Sequence, residues 1–261
     1  MTKKSRLITS ATQLDTESIL KDARLALSMP SRRLFAKRAL TLGGLTLLTG
    51  CNITDEPSIN RMLSKISRMN DGVQAWLFDP NKLAPTYPAS MITRPFPFNA
   101  FYSEDEAPEI DAANYQLEVS GLVSNKRPWT LDALHRLPQN EQITRHICVE
   151  GWSAIGRWGG VPFSYFLKQI GADLSAKYVG FTCGDDYYTS IDMPTALHPQ
   201  TQLTLTYDGA ILPPKYGFPM KLRMPTKLGY KNPKHIMSIA ITNTYPGGYW
   251  EDQGYNWFGG A

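Results

Sequence analysis

The sequence predicts a mixed α+β fold with several short strands and a few helices. Short segments alternate between apolar and polar side chains, as half-buried strands do, and glycine, proline and Asp-Gly turns separate them. Helical spacing occurs in only a few stretches. Strands and helices do not alternate regularly, which argues against a parallel βαβ architecture. With 261 residues and 42% hydrophobic content, the chain is long enough for one large domain.

The first 51 residues have the pattern of an export leader. Ser31–Lys37 contains paired arginines, the apolar run Ala39–Leu48 follows, and Leu48–Cys51 resembles a lipobox. The apolar run is too short for a membrane span, which needs about 20 residues; a short hydrophobic helix is the alternative interpretation. We expect a twin-arginine signal in residues 1–51, a mature domain in residues 52–261, and a lipid on Cys51.

This leader predicts where the protein acts. Twin-arginine export carries folded proteins, so we expect the chain in the periplasm or on the outer face of the cytoplasmic membrane, held at the membrane surface through Cys51. Met29 directly precedes the signal, so we expect translation to begin there and not at Met1.

The basic excess of the chain belongs to the leader. The chain has 27 Lys and Arg against 23 Asp and Glu, and residues 1–51 hold nine of the basic and three of the acidic side chains. Subtraction leaves 18 basic and 20 acidic side chains in residues 52–261. The mature domain lacks the positive charge of a nucleic-acid-binding protein, and we expect no nucleic-acid partner.

Helices are predicted at a few places along the mature domain. Helical spacing after Ser58 indicates a helix that ends near Asp71-Gly72, and a second short helix is expected over Val73–Phe78. Further helices are predicted over Thr130–Leu137 and between Pro162 and Gly171.

Strands are predicted from two-residue alternation, with a turn at Asp208-Gly209. Besides the strand that leads to Cys148, they are Tyr115–Val119, Tyr178–Thr182, Tyr187–Ile191, Leu203–Tyr207, Met220–Met224 and Ile236–Thr242. The long proline-rich loop Asp79–Pro97 is expected to line a site or wrap the domain.

The segment Arg145–Trp152 brings a thiol to the end of a predicted buried strand. Polar Thr144 and His146 share the face of Cys148, and aliphatic residues occupy the other face. We expect the thiol to point to a cleft or a cofactor, although a buried Cys that acts as a small hydrophobe is the alternative.

Glu150 follows Cys148 on the same face of an extended segment. We expect this carboxylate to deliver protons. A structural ion pair with Arg145 or Arg157 is the alternative.

A block of one-sided charge lies near the C-terminus. Between Gly209 and Trp250 there are six Lys or Arg side chains and no acid. Such a block suits a phosphate or another anionic ligand. A solvated basic face is the alternative.

The Cys148 segment and the basic block together resemble the molybdopterin-binding domain of the sulfite-oxidase superfamily. The resemblance extends from about Asn70 to the C-terminus and includes, in order, Phe98–Tyr102, the Cys148 segment, Ala176–Val179 and Pro214–His235. Within the superfamily the chain is most similar to the catalytic subunits of periplasmic protein-methionine-sulfoxide reductases. This resemblance implies a single mixed α+β domain of that type and a molybdopterin-dependent oxidoreductase.

The resemblance also implies a cofactor of molybdenum with one pterin, and no haem. Cys148 would be the single protein ligand of the metal, and Glu150 would act beside it. Cofactor contacts are implied for Cys148 and for Asn99, Tyr102, Ser103, Cys183, Tyr216, Lys221, Asn232, Pro233 and Lys234. The reductases carry an acid, a threonine, an asparagine and an arginine where this chain has Ser103, Cys183, Tyr216 and Lys221. For Cys183, a disulfide with Cys148 is the alternative, and it would remove the metal ligand.

The implied activity is the transfer of an oxygen atom at a sulfur centre. We expect reduction of methionine sulfoxide, free or in proteins, or of a similar S-oxide, with electrons from a separate membrane donor that is itself a haem protein. The alternatives are a sulfite-oxidising enzyme and a non-catalytic cell-envelope lipoprotein that binds an anionic ligand.

Overall fold

Two five-stranded sheets organise the chain in the computed structural model, which describes residues 57–261. In chain order the elements are α1 (Pro57–Leu77), β1 (Gln116–Gly121), β2 (Trp129–Thr130), α2 (Leu131–His135), β3 (Asn140–Ile147), β4 (Ser153–Pro162), α3 (Phe163–Gln169), β5 (Tyr178–Cys183), β6 (Tyr188–Asp192), α4 (Met193–Leu197), β7 (Gln202–Tyr207), β8 (Ala210–Ile211), β9 (Lys221–Arg223) and β10 (Ile236–Thr242). The leader, Cys51 and the expected start at Met29 lie outside the described residues.

The strands pair almost entirely antiparallel. The first sheet has the order β2-β1-β10-β5-β6, in which only β1 and β10 run parallel. The second has the order β3-β4-β7-β8, and β9 pairs with β7. Each strand predicted from alternation is present within one or two residues at its ends, and the predicted mixed α+β class is confirmed.

Strand β4 was not predicted, because its glycines interrupt the alternation. Those glycines let the neighbouring strand approach closely. A Cβ on Gly160 would lie 2.0 Å from the backbone oxygen of Leu203 and 2.7 Å from the Cα of Thr204, next to an irregularity in the pairing of β4 with β7. The sheet geometry therefore requires glycine at this position.

One helix occupies the region where two were predicted. α1 continues through Asp71-Gly72 to Leu77. The Asp71 carboxylate accepts hydrogen bonds from the Asn256 amide (2.6 Å) and the backbone N–H of Phe258 (3.0 Å), so tertiary contacts hold the helix at its weakest point. The prediction of a break was wrong because it used propensity alone.

Helices α2 and α3 begin and end close to the residues that predicted their ends. The Thr130 side chain accepts a hydrogen bond from the Ala133 N–H (3.2 Å) at the start of α2, and Gly171, with a φ of 59°, follows α3. α4 has only five residues, too few for a periodic pattern.

The main hydrophobic core contains side chains from both sheets and from α3 and α4. A second, smaller cluster lies around Trp158 of β4, with Phe96, Ala154, Leu212 and Tyr216. Among residues 57–261, no helix is both long and apolar enough to cross a bilayer.

The glycine at position 160 provides a test of this packing. We expect Gly160→Ala to lower the free energy of unfolding by about 2 kcal/mol or more, since the new Cβ meets backbone atoms that have to move. Denaturant unfolding followed by circular dichroism measures the change.

Gly72→Ala is the matched control. Position 72 is helical and nothing lies within 4 Å of its Cβ direction. This variant should instead be more stable by about 0.5 to 1 kcal/mol. Equal effects of the two substitutions would contradict the backbone clash at position 160.

Candidate active site

Cys148 lies in the turn of the β3–β4 hairpin. Ile147 and Ser153 form the last pair of the ladder. The Cys148 N–H donates to the Trp152 carbonyl (2.9 Å), and the Gly151 N–H donates to the Cys148 carbonyl (3.2 Å). Gly151 has a φ of 92°, which favours glycine. The hairpin therefore fixes the backbone of the thiol-bearing residue.

The polar face of β3 is the buried one. Gln142, Thr144 and His146 are buried on it, and Cys148 continues this face with 7% of its surface exposed. The aliphatic side chains of the strand are only half-buried on the other face. The prediction that the thiol points away from the aliphatic face is thus confirmed.

Glu150 lies beside the thiol. Its Oε2 is 3.7 Å from the Cys148 Sγ and accepts a hydrogen bond from the Trp152 indole N–H at 2.9 Å. Among residues 57–261 no ion pair joins Glu150 to Arg145 or to Arg157, and Arg157 lies instead near Glu141 (3.7 Å) and Asp208 (3.9 Å). The alternative of a structural ion pair was therefore wrong.

Both described cysteines are free thiols. The alternative of a Cys148–Cys183 disulfide was therefore wrong. Burial is the main reason that the pKa of Cys148 is raised, with the charge of Glu150 adding to it. A thiol with a raised pKa is a poor nucleophile, whereas a bound metal deprotonates it. Cys148 is thus better suited to bind a metal than to attack a substrate.

A pocket of about 150 Å³ lies between the Cys148 turn and the basic block, and one side is open. It contains Glu150 and six of the positions for which cofactor contact was implied: Asn99, Tyr102, Cys148, Asn232, Pro233 and Lys234. Residues that are far apart in the sequence therefore meet at one place, as the resemblance implied.

Four other implied positions do not line this pocket. The N–H and hydroxyl of Ser103 both donate to Glu106 (2.9 and 2.7 Å). Tyr216 packs in the smaller cluster and donates to the Phe96 carbonyl (2.8 Å). Cys183 is buried in the main core, and Lys221 lies inside β9. These four side chains therefore do not contact the pocket, and their visible contacts stabilise the fold around it.

The basic block is largely buried, so the alternative of a solvated basic face was wrong. Two of its lysines have structural partners: Lys227 donates to the Phe258 carbonyl (2.9 Å), and Lys231 forms a buried ion pair with Glu251. The remaining buried cations, Lys221, Arg223 and Lys234, form no ion pair within residues 57–261.

These three cations surround His146. Burial, and then the charges of Arg223, Lys221 and Lys234, hold the pKa of His146 well below its usual range. Neither ring nitrogen of His146 has a hydrogen-bond partner among the described residues. A Cβ on Gly229 would lie 2.7 Å from the His146 Nε2 and 3.5 Å from the Cys148 Cα, so only glycine allows this close approach.

Lys234 is the cation of this group that lines the pocket. Its ammonium donates to the carbonyls of Asn99 and Lys215 (2.9 Å to the latter) and lies 4.5 Å from the centre of the Phe98 ring. Burial lowers the pKa of Lys234 to about 8. Its charge is therefore sensitive to pH near neutrality.

Asn232 and Arg223 hold the loop beside Lys234. The Asn232 side-chain oxygen accepts from the Met224 N–H (2.6 Å) and the Arg223 guanidinium (3.3 Å), and its amide nitrogen donates to Leu228 (2.9 Å). The side chain of Asn232 is therefore engaged in shaping the loop, and its backbone remains for a ligand.

Sequence reasoning missed three residues of this site. His146 is two residues before Cys148 on the buried polar face, and that alternation could have indicated it. Arg223 was counted only as part of the basic block. Asp185 lines the pocket and accepts a hydrogen bond from the Tyr102 hydroxyl (3.0 Å), but it lies in a turn without a pattern.

The residues present fit a molybdenum–pterin group. Buried cations without counter-charges suit its phosphate, and the free Cys148 thiol suits its soft metal. The backbone of Asn232-Pro233 and the Lys234 ammonium are the groups available to hold the phosphate end.

The pKa of Lys234 predicts how anion binding depends on pH. Only the ammonium form attracts an anion, so the affinity of the cofactor-free protein for inorganic pyrophosphate should fall by up to about tenfold per pH unit above about pH 8. Titration calorimetry across that range measures the fall.

The variant Lys234→Met should bind pyrophosphate weakly and without this pH dependence. Lys215→Met is the matched control, because the Lys215 ammonium pairs with Glu104 (2.8 Å) outside the pocket lining. If the pH dependence persisted in Lys234→Met, another group would be responsible for it.

Comparisons with known proteins agree with this site. Residues 104–250 match the family described as oxidoreductase molybdopterin binding domain. The chain is 66% identical over 259 residues, 99% of each chain, to an Azospira oryzae protein with the provisional name protein-methionine-sulfoxide reductase subunit YedZ1. It is 31% identical over 161 residues to the Burkholderia mallei protein-methionine-sulfoxide reductase catalytic subunit MsrP, covering 56% of this chain and 49% of that protein.

The fold also has a counterpart among solved structures. The sulfane dehydrogenase SoxCD from Paracoccus pantotrophus is 20% identical, with a TM-score of 0.50, over 53% of this chain and 40% of that one. The family match over residues 104–250 and the Azospira relative confirm the family resemblance seen in the sequence. With a free Cys148 thiol, a pocket that Lys234 lines, and a family match over more than half of its length, the chain belongs to the oxidoreductase molybdopterin-binding domain family.

Proposed function

We propose that this chain is an exported molybdopterin-dependent reductase of methionine sulfoxide or a similar S-oxide. The observation that carries the proposal is the free Cys148 thiol in a pocket that also holds Glu150 and Lys234. The names of the Azospira and Burkholderia relatives support the choice of substrate.

The cofactor and the protein have separate tasks in this proposal. When bound, the molybdenum–pterin group supplies the transfer of an oxygen atom with two electrons. Cys148 holds the metal as a thiolate, and Lys234 and the backbone around Pro233 hold the anionic end. His146 stays neutral beside three cations, and its ring keeps that side of the thiol free of a further positive charge.

The thiol end of the pocket favours a neutral S-oxide over sulfite. The Glu150 carboxylate lies 3.7 Å from the Cys148 Sγ, and its charge disfavours an anionic substrate there. Aromatic side chains form much of the rest of the lining, including Phe101, Tyr187 and Trp250. Aromatic rings make favourable contacts with thioether sulfur, the product of the reaction.

The position of Glu150 beside the Cys148 thiol supports a role in proton transfer. Reduction of an S-oxide to a sulfide consumes two electrons and two protons and releases water. The Glu150 carboxylate is 3.7 Å from the Cys148 Sγ, and the Trp152 N–H holds it there. We assign Glu150 the delivery of protons to the departing oxygen.

The location and the electron source are also part of the proposal. The paired arginines and the lipobox support export of the folded protein and a lipid on Cys51 at the periplasmic side of a membrane. Electrons would come from a separate membrane protein that carries haem. The word subunit in the names of the two relatives supports the existence of a separate partner protein.

Metal content and activity test the proposal together. We expect near-stoichiometric molybdenum in the purified exported protein and reduction of methionine sulfoxide by reduced viologen. In Cys148→Ser both should fall by more than about tenfold, because the variant lacks the proposed thiolate ligand. Elemental analysis and viologen absorbance measure them.

Cys183→Ala is the matched control, since Cys183 is equally free but lies outside the pocket lining. It should keep both metal and activity. A metal-free, folded wild-type protein would support the non-catalytic lipoprotein instead, and faster turnover of sulfite would support the sulfite-oxidising enzyme.

The variant Glu150→Gln tests proton delivery. We expect turnover to fall about 100-fold, with molybdenum content unchanged and a flatter pH profile, because the amide cannot carry the proton. Steady-state rates across a pH series show this. Loss of molybdenum in Glu150→Gln would mean that the carboxylate serves the metal site and not proton transfer.

A further inference from the structure

Helix α1 presents an apolar face that no other described part of the chain covers. Trp76 has 83% of its surface exposed and Met69 has 65%, and the other members of this face, Ile66, Val73 and Leu77, are also exposed. At 100° per residue these positions fall within an arc of about 100°. An arc of this width is normally buried against a partner.

The opposite face of α1 is fixed to the C-terminal segment. Asp71 bonds to Asn256 and Phe258, the Gln74 side-chain oxygen accepts from the Gly260 N–H (3.3 Å), and the Phe78 ring, just after the helix, packs edge-on against Phe258 (5.6 Å). The orientation of the helix is therefore set by polar contacts, and its apolar face points outward in the folded protein.

One border of the apolar face is basic. Lys65 and Arg68 are exposed on α1, on one side of the arc. A groove of about 470 Å³ next to the end of α1 is lined by Leu77 and Leu83 and also contains Lys82 and Arg145, with Asp79 as an acid in its lining. Apolar residues bordered by basic ones are typical of a helix that lies in a membrane interface.

We propose that α1 lies on an anionic phospholipid surface, with Met69, Val73 and Trp76 in the interface. Three observations favour lipid over a protein partner. Tryptophan prefers the membrane–water boundary. Lys65 and Arg68 are placed to meet anionic headgroups. Cys51, the proposed lipid attachment site, is only six residues before α1 begins at Pro57, a chain that spans about 20 Å at most.

The lipid and the helix would act as two anchors. A single lipid attachment fixes one point of the chain and leaves the orientation of the domain undefined, whereas a second contact through α1 holds the domain in one orientation. The inference rests on the proposed export and lipidation, and not on the proposed chemistry. Vesicle binding and viologen oxidation are separate measurements, so either can fail without the other.

Trp76 itself reports the contact. The mature protein is reconstituted into vesicles of phosphatidylethanolamine and phosphatidylglycerol whose acyl chains carry bromine, which quenches nearby tryptophan. The emission of Trp76 is obtained by subtracting the spectrum of a Trp76→Phe version. We expect this emission to be strongly quenched in wild type, and the quenching to weaken at high salt.

The variant Met69→Asp with Val73→Asp should lower the equilibrium constant for docking of α1, obtained from the quenching, by at least about tenfold, because burial of even one such side chain contributes that much. Its activity with reduced viologen should be unchanged. Ile211→Asp is the matched control: Ile211 is 66% exposed but lies in β8, and its substitution should leave the quenching of Trp76 intact.

Three results would overturn the inference. If Trp76 were not quenched in the wild-type protein, or were quenched equally in the double aspartate variant, α1 would not contact lipid. Quenching that requires the electron-donor protein would assign the face to that protein. Dimers in light scattering that dissociate in the double aspartate variant, without lipid contact, would assign it to a second copy of the chain.

Discussion

Three buried cations that form no ion pair within residues 57–261 are the constraint on which the rest of the site depends. Lys221, Arg223 and Lys234 lie around His146 and the Cys148 turn, and none forms an ion pair in residues 57–261. Burial lowers the pKa of Arg223 to about 9, and burial also holds the pKa of Lys221 well below its usual value. Burying such charges is costly, and a bound anion offsets the cost. The folded protein is therefore preorganised for an anionic group.

The same block of sequence contains cations with opposite roles, and tertiary context separates them. Lys231 forms a buried ion pair with Glu251 and donates a hydrogen bond to the Ser190 carbonyl, so its charge stabilises the fold. Lys234, three residues later, bonds only to backbone carbonyls and keeps its charge available to a ligand. Neighbouring lysines of identical chemistry thus differ because one of them faces a carboxylate from a distant segment.

Much of the fold could be predicted because alternation and end signals are local. The strands and the face of Cys148 follow from such patterns. The break at Gly72 was wrong because contacts from Asn256 and Phe258, remote in sequence, hold the helix there. The segments that resemble the family identified most of the pocket residues. Asp185 could not be predicted in this way, because it lies in a turn and a turn has no periodic pattern. Features set by neighbouring residues could therefore be predicted from the single sequence, whereas contacts between residues remote in sequence could not.

The C-terminal segment has two attachments, and this has a mechanical consequence. Trp250 and Tyr255 line the pocket, and within a few residues Asn256 and Phe258 hold α1. This short stretch therefore connects the pocket wall to the helix. We expect the thermal motions of the two regions to be correlated.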